Sequence, residues 1–183
     1  MGPEDRTLVE RAKRDPHAFA SLYEKYVDKI YTYLYYRVHD REAAEELTSM
    51  TFQRALEALP RYEFRGAPFE AWLYRIAHNA VANWFRDNER RKTIPLDSVR
   101  RTHTESHSVD EIVLLSEMRE ELRQLVRKLP SEWQEVLILK FAEGATHAEI
   151  GRILGKSESA VKSIYYRTLK SLRKAFRERG FIK

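Results

Sequence analysis

Between Ile150 and Lys183 the chain carries ten Lys and Arg against two Glu, a net charge of +8 in one terminal segment. Cationic side chains at that density suit a polyanion, and the phosphate backbone of DNA first of all. The spacing of the other residues in the segment points the same way. Thr146 with Glu149 forms a capping box that opens a short helix through Ile150 and Leu154. Gly155-Lys156-Ser157 makes a tight turn, with a glycine that accepts positive φ at little cost. Ser157 caps a longer helix whose inner stripe is Val161, Tyr165, Thr168, Leu172 and Phe176. Short helix, turn and long helix are the spacing of a helix-turn-helix, whose second helix enters the major groove. Its outward face holds Ser159, Lys162, Ser163, Tyr166, Arg167 and Lys170, donors suited to phosphates and base edges. A plain helical hairpin with a solvated basic face would share the caps and the glycine. The charge excess is what favours duplex DNA.

A second constellation lies between Arg61 and Asn83, where bases alternate with Tyr62, Phe64, Trp72 and Tyr74. Single-stranded nucleic acid is held by such a mixture, through stacking over a charged groove worth about 1–3 kcal/mol per base. Trp72 falls on an apolar stripe and reads as core, so Arg65, Arg75 and Asn79 are the stronger candidates for direct contact. A third segment, Asp40 to Glu57, has five acids against two bases. That makes it a poor DNA contact and a fit for a basic protein surface, although a solvated acidic face would read the same. His103 and His107 are four apart but have no further ligand nearby, so no metal site is expected. No nucleophile–base arrangement, glycine-rich phosphate loop or carboxylate pair stands out, and no cofactor is expected.

These groups require helices to position them. Asp15-Pro16 starts one, with Phe19, Leu22, Tyr26, Ile30, Tyr33 and Leu34 on one stripe. Asp40 caps a second, with Ala44, Leu47, Thr51 and Ala55 inward, and Pro60 stops it. Pro68 opens a third, with Phe69, Trp72, Leu73, Ile76, Ala80, Val81 and Trp84. Polar, aperiodic sequence from Arg91 to Ser108 reads as a linker. Ser108 with Glu111 opens a helix that Pro130 ends, and Ser131 with Gln134 makes a capping box for a helix that Gly144 stops. The expected fold is all-α: two small helical domains joined by a flexible linker, the second a helix-turn-helix. The boundaries are 1–92, 93–116 and 117–183.

The chain has 183 residues, 43% of them hydrophobic and 33% charged, a globular balance. No stretch approaches the roughly 18 uninterrupted apolar residues of a membrane span. Residues 1–14 lack the apolar run of a signal peptide. The absence of cysteine excludes disulfides and thiolate metal sites, and a cytoplasmic location is expected. A net +8 terminal segment against a slightly acidic remainder suggests a polyanion at one end and something else at the other; free in solution, the basic C-terminal half is expected to be masked by the N-terminal half.

The runs Leu129-Pro-Ser-Glu-Trp-Gln-Glu-Val-Leu137, Thr146-His-Ala-Glu-Ile-Gly-Arg-Ile-Leu-Gly155 and Ser159-Ala-Val-Lys-Ser163 closely resemble the C-terminal domain of bacterial RNA polymerase sigma factors of the extracytoplasmic-function (ECF) type. Asp40-Arg-Glu-Ala-Ala-Glu-Glu-Leu-Thr-Ser-Met-Thr-Phe52 is similar to the family's polymerase-docking helix, and Phe69 to Asn79 to its promoter-melting helix. The chain departs from the family pattern at Glu46-Leu47, at Ser49, at Asn83 (often Asp) and at Ile164 (usually Arg).

The resemblance implies a sigma factor that binds core RNA polymerase, at its clamp and flap, and directs promoter-specific initiation. Residues 1–92 would be region 2 and 117–183 region 4. It implies core-polymerase contacts at Asp40, Glu45, Glu46, Leu47, Ser49 and Phe52. Single-stranded −10 DNA would meet Arg65, Trp72, Arg75, Asn79, Asn83 and Arg86. Duplex −35 DNA would meet Lys156, Ser157, Ser159, Lys162, Ser163 and Arg167. The family often has an anti-sigma protein as a further partner. The chemistry belongs to the polymerase, so no catalytic residue is implied. A self-sufficient helix-turn-helix regulator has no need of an acidic docking helix or an aromatic-basic melting helix, and a pure scaffold has no need of the basic C-terminal helix.

Overall fold

Asp15 turns the chain through local hydrogen bonding. Its carboxylate accepts from the His17 N–H at 2.9 Å, and Pro16 begins a single 3-10 turn that runs directly into a long helix. The computed structural model describes residues 3–64, 67–91, 121–142 and 144–181, and all regular structure among them is helical. In chain order these helices are α1 (Pro3–Arg14), α2 (Phe19–Val38), α3 (Arg41–Ala58), α4 (Phe69–Arg91), α5 (121–127), α6 (Ser131–Phe141), α7 (His147–Leu154) and α8 (Glu158–Glu178). The linker, its two histidines, the Ser108 capping box and Arg65 lie outside the described residues.

α1 is an addition to the sequence reading, which began its first helix after Asp15. Val9 and Ala12 bury completely enough to explain it, with Leu8 packed beside them. The next three helices follow the expected faces. Leu22, Ile30, Tyr33 and Leu34 of α2, Ala44, Leu47 and Ala55 of α3, and Phe69, Leu73 and Val81 of α4 form one core. Asp40 caps α3, accepting from Ala43 N–H at 2.9 Å. A second 3-10 turn containing Pro60 ends it, and its Leu59 is buried.

In the C-terminal half, Thr146 and Glu149 form the expected reciprocal capping box of α7. Gly155 closes α7 in the left-handed region, at φ 67°. Ser157 caps α8, accepting from Ala160 N–H at 3.2 Å. Gly151 lets the turn fold back on α7: a Cβ there would lie 2.6 Å from the Lys156 carbonyl oxygen.

One cap differs from expectation. Pro130, not Ser131, is the N-cap of α6, and no side chain caps this helix. Ser131 is already helical, and its Oγ accepts from Arg37 at 2.8 Å across the molecule. Gln134 turns backward instead, donating to the carbonyls of Arg127 and Leu129. A contact from the other half of the chain and the fixed φ of Pro130 outcompete the local box.

The two halves pack on one another, α6 against α2 and α7 against α4. Val136, Leu139, Ile150 and Ile153 join the N-terminal core in one apolar cluster, and a buried polar network lies beside it at the seam. Glu135 of α6 is 3% exposed and Arg37 of α2 is 4% exposed. The Tyr33 hydroxyl donates to Glu135, and His78 Nδ1 of α4 lies 2.5 Å from the same carboxylate.

Candidate nucleic-acid interface

The reading face of the helix-turn-helix is open to solvent. Ser159, Lys162, Tyr166, Arg167 and Lys170 are exposed and Ser163 is half-buried. The seam therefore does not mask the basic helix by covering it, and the expected masking of one half by the other does not take that form. Two of the candidate cations are already engaged. Lys156 pairs with Glu132 at the start of α6. Lys162 pairs with Glu158 at 2.8 Å, one turn earlier on α8. The hydrogen bond and the opposite charge lower the Glu158 carboxyl and raise the Lys162 ammonium from their ordinary values. A phosphate arriving at this face would have to compete with Glu158 for Lys162. Glu158 also sits in the first turn, where a carboxylate favours the helix and opposes a phosphate. Arg167 and Lys170 lie further along the same face, and Tyr166, at 65% exposure, projects between them and Lys162.

Ile164, where the related family usually has Arg, faces inward and packs partly buried against the core. The substitution exchanges a polar group for core contact and leaves the exposed row unchanged.

On α4 the residues Trp72, Arg75, Asn79, Asn83 and Arg86 recur at three or four positions, which places them on one helical face. Arg75, Asn79 and Arg86 are exposed and Asn83 is half-buried. Arg86 donates to the Asn83 side-chain oxygen at 2.9 Å, so these two act as one polar unit. Trp72 is half-buried, its ring 4.8 Å from Tyr62 and 5.3 Å from Phe69. It belongs to an aromatic cluster that supports the face. Phe64, in the loop before α4, is exposed and free of that cluster.

The α3 candidates divide by face. Glu45, Glu46 and Ser49 are exposed, whereas Leu47 and Phe52 are core residues. Phe52 packs edge-on against Phe19 and Tyr23, and Asp40 is occupied as the cap. Any part of Leu47 and Phe52 in docking is to hold the helix, not to touch a partner. Arg41 and Glu45 form an exposed ion pair at 2.8 Å.

Sequence reasoning missed the seam residues Arg37 and Glu135. Arg37 continues the α2 stripe of Ile30, Tyr33 and Leu34, and a charge at a core register was the available signal. Burial would raise the Glu135 carboxyl. The His78 hydrogen bond, the Arg37 charge and the Tyr33 hydroxyl outweigh that effect and hold it below the usual carboxylate range. Burial in turn pushes the Tyr33 hydroxyl well above its ordinary value. Among the described residues no three His, Asp or Glu come together as a metal site, and no helix is long and apolar enough to cross a membrane.

Comparison with known proteins agrees with this arrangement. Residues 22–91 match the family Sigma-70 region 2, and residues 119–172 match Sigma-70, region 4. The chain is 38% identical over 166 residues to the ECF RNA polymerase sigma factor BldN of Streptomyces coelicolor. That match covers 90% of this chain and spans 63% of the length of that relative. It is 34% identical over 155 residues to the RNA polymerase sigma factor YlaC of Bacillus subtilis, covering 84% of this chain and 88% of that one. Its fold is similar to that of CnrH, solved in complex with the cytosolic domain of CnrY, with a TM-score of 0.71 at 22% identity over 95% and 97% of the two chains.

Proposed function

This chain belongs to the sigma-70 family, in its ECF group of RNA polymerase sigma factors, and we propose a division of its work among three surfaces. The exposed acids of α3, Glu45 and Glu46 with Ser49 beside them, dock on a basic surface of the polymerase clamp. The α4 face of Arg75, Asn79 and the Asn83–Arg86 pair holds single-stranded −10 DNA, with Trp72 as its aromatic support. The α8 row of Ser159, Lys162, Ser163 and Arg167 reads duplex −35 DNA, with Lys156 and Ser157 on the turn at the backbone. The C-terminal domain also meets the flap. An anti-sigma protein would act by covering one of these surfaces. The polymerase supplies the chemistry, and the protein works in the cytoplasm where polymerase and promoter are.

The observation that carries this reading is the coexistence of two exposed polar and cationic rows, on α4 and α8, with a third, acidic surface on α3 that precedes both in sequence. A duplex-binding regulator needs only the α8 row. Each row binds weakly alone and gains affinity once a common partner fixes both at promoter spacing.

The test is transcription by core polymerase and the full chain on a supercoiled promoter library, with start sites mapped. Starts that share a −35 and a −10 sequence are expected. No specific starts, together with tight duplex binding by the chain alone, would overturn the reading.

A further inference from the structure

The two halves enclose a cleft of about 610 Å³ beside the polar seam, a size typical of small-molecule sites. Three of its walls are arginines from both sides: Arg37 of α2, Arg86 of α4 and Arg127 of α5. The single carboxylate at the cleft, Glu135, is already held by Tyr33 and His78. The lining therefore keeps an excess of at least two positive charges.

Arg37 supplies a second, independent observation. It is nine-tenths buried or more, at 4% exposure, and lines this cleft. Its Nη1 and Nη2 donate to Ser131 O and Oγ at 3.2 and 2.8 Å, and its guanidinium lies 5.6 Å from the Phe85 ring centroid. Its Nε is buried and has no partner among the described residues. A buried donor left unmade is costly, and the Tyr33 hydroxyl and the Glu135 carboxylate offset only part of the Arg37 charge at the cleft. His39, on the same wall in a left-handed conformation, reports the local field. Burial first, then the charges of Arg127, Arg37 and Arg123, lower its ring from the ordinary value.

We propose that this interdomain cleft is a binding site for a phosphorylated small molecule, held through its phosphate by Arg37, Arg86 and Arg127. Guanidinium forks match phosphate oxygens two at a time, which distinguishes this set from a general cation patch. Val38, Ala82 and Phe85 form the apolar part of the wall and accept an apolar or aromatic portion such as a nucleobase. Inorganic pyrophosphate and a nucleoside triphosphate share the anionic chemistry and differ in that second portion. Because Arg127 comes from the other half of the chain, the ligand binds the closed arrangement alone and stabilises it. On the sigma-factor reading, it would also oppose engagement with polymerase by the same factor. Binding itself does not depend on that reading.

The experiment is calorimetric titration of the full chain with pyrophosphate, ATP and adenosine in parallel, beside Arg127→Glu and Arg127→Ala. Arg127 is exposed on α5 and belongs to none of the three proposed surfaces, so both variants should fold, which circular dichroism checks. Saturable one-to-one binding by pyrophosphate or ATP, tighter than about 1 mM and weakened roughly tenfold or more in Arg127→Glu, is expected. Tighter binding of ATP than of pyrophosphate identifies the nucleoside as part of the ligand, and the reverse identifies the inorganic anion. Three results would each overturn the proposal: no saturation by either anion, equal binding in wild type and both variants, or adenosine binding as tightly as ATP.

Discussion

The two halves of this molecule are stabilised in different ways. In the N-terminal half four helices bury large side chains completely: Leu22, Ile30, Tyr33, Leu34, Phe69 and Leu73 all vanish from the surface. In the C-terminal half α8 buries only Val161 and Thr168 along 21 residues. Among the described residues of this half, those fully buried are Val136, Leu139, Ile150, Val161 and Thr168. Burial of one large apolar side chain contributes about 1.5–3 kcal/mol, so a few such residues decide which half is robust. The first half contributes most of the apolar cluster that the two halves share. The second half leaves most of its longest helix exposed to solvent, as the proposed DNA-reading role requires, and depends more on caps and on its turn.

The comparison breaks most sharply with Leu73→Ala in α4 against Leu172→Ala in α8. Leu73 is fully buried and Leu172 only partly so. The first should cost about 2–5 kcal/mol in urea unfolding and the second clearly less. Equal losses would mean that the half-buried Leu172 carries as much packing as Leu73. Gly151→Ala should cost about 1–3 kcal/mol, because its Cβ meets backbone 2.6 Å away. The damage should be confined to α7 and α8, read as a lost −35 footprint with α2–α4 still protected from hydrogen exchange.

Glu135→Gln tests the seam, at a cost of about 1–3 kcal/mol, seen as faster exchange in α6 and a larger radius in small-angle scattering. Its pH dependence has a definite sign. The native carboxyl is held below its unfolded value, so its contribution is present above about pH 4.3 and is lost as pH falls through the lower native value. The wild type should open on acidification, and the Gln variant should lose that dependence. The smallest effect on folding is expected from Glu45→Lys with Glu46→Lys, both exposed. Unfolding should stay within about 0.5 kcal/mol of wild type while polymerase binding is lost. Retained binding would remove α3 from the docking surface.

What could be read from the sequence followed the range of the interactions. Asp40, Thr146, Gly155 and Ser157 act on residues within four positions, and each was legible as a cap or turn. The α8 row was legible from helical spacing and charge, and so were Arg75 and Asn79 on α4, whereas Asn83 and Arg86 came from the family resemblance. Arg37 and Glu135 were not, because each is explained by a partner about a hundred residues away. Ser131 shows the same limit from the other side: its local pattern was a capping box, and the distant Arg37 took its hydroxyl. α1 escaped because its apolar residues, Leu8, Val9 and Ala12, are few among charges. The family pattern drew attention to Ile164, but only packing shows that this position faces inward.

The mixed character of the seam has a thermal consequence. Exposing apolar surface raises heat capacity, and exposing polar surface lowers it. Parting Tyr33, Arg37 and His78 from Ser131 and Glu135 uncovers polar groups, whereas parting the cluster of Val136, Leu139, Ile150 and Ile153 from the N-terminal core uncovers apolar area. The two contributions oppose one another. Opening should therefore carry a smaller heat-capacity change than melting of the N-terminal core, and the ratio of open to closed molecules should curve less steeply with temperature.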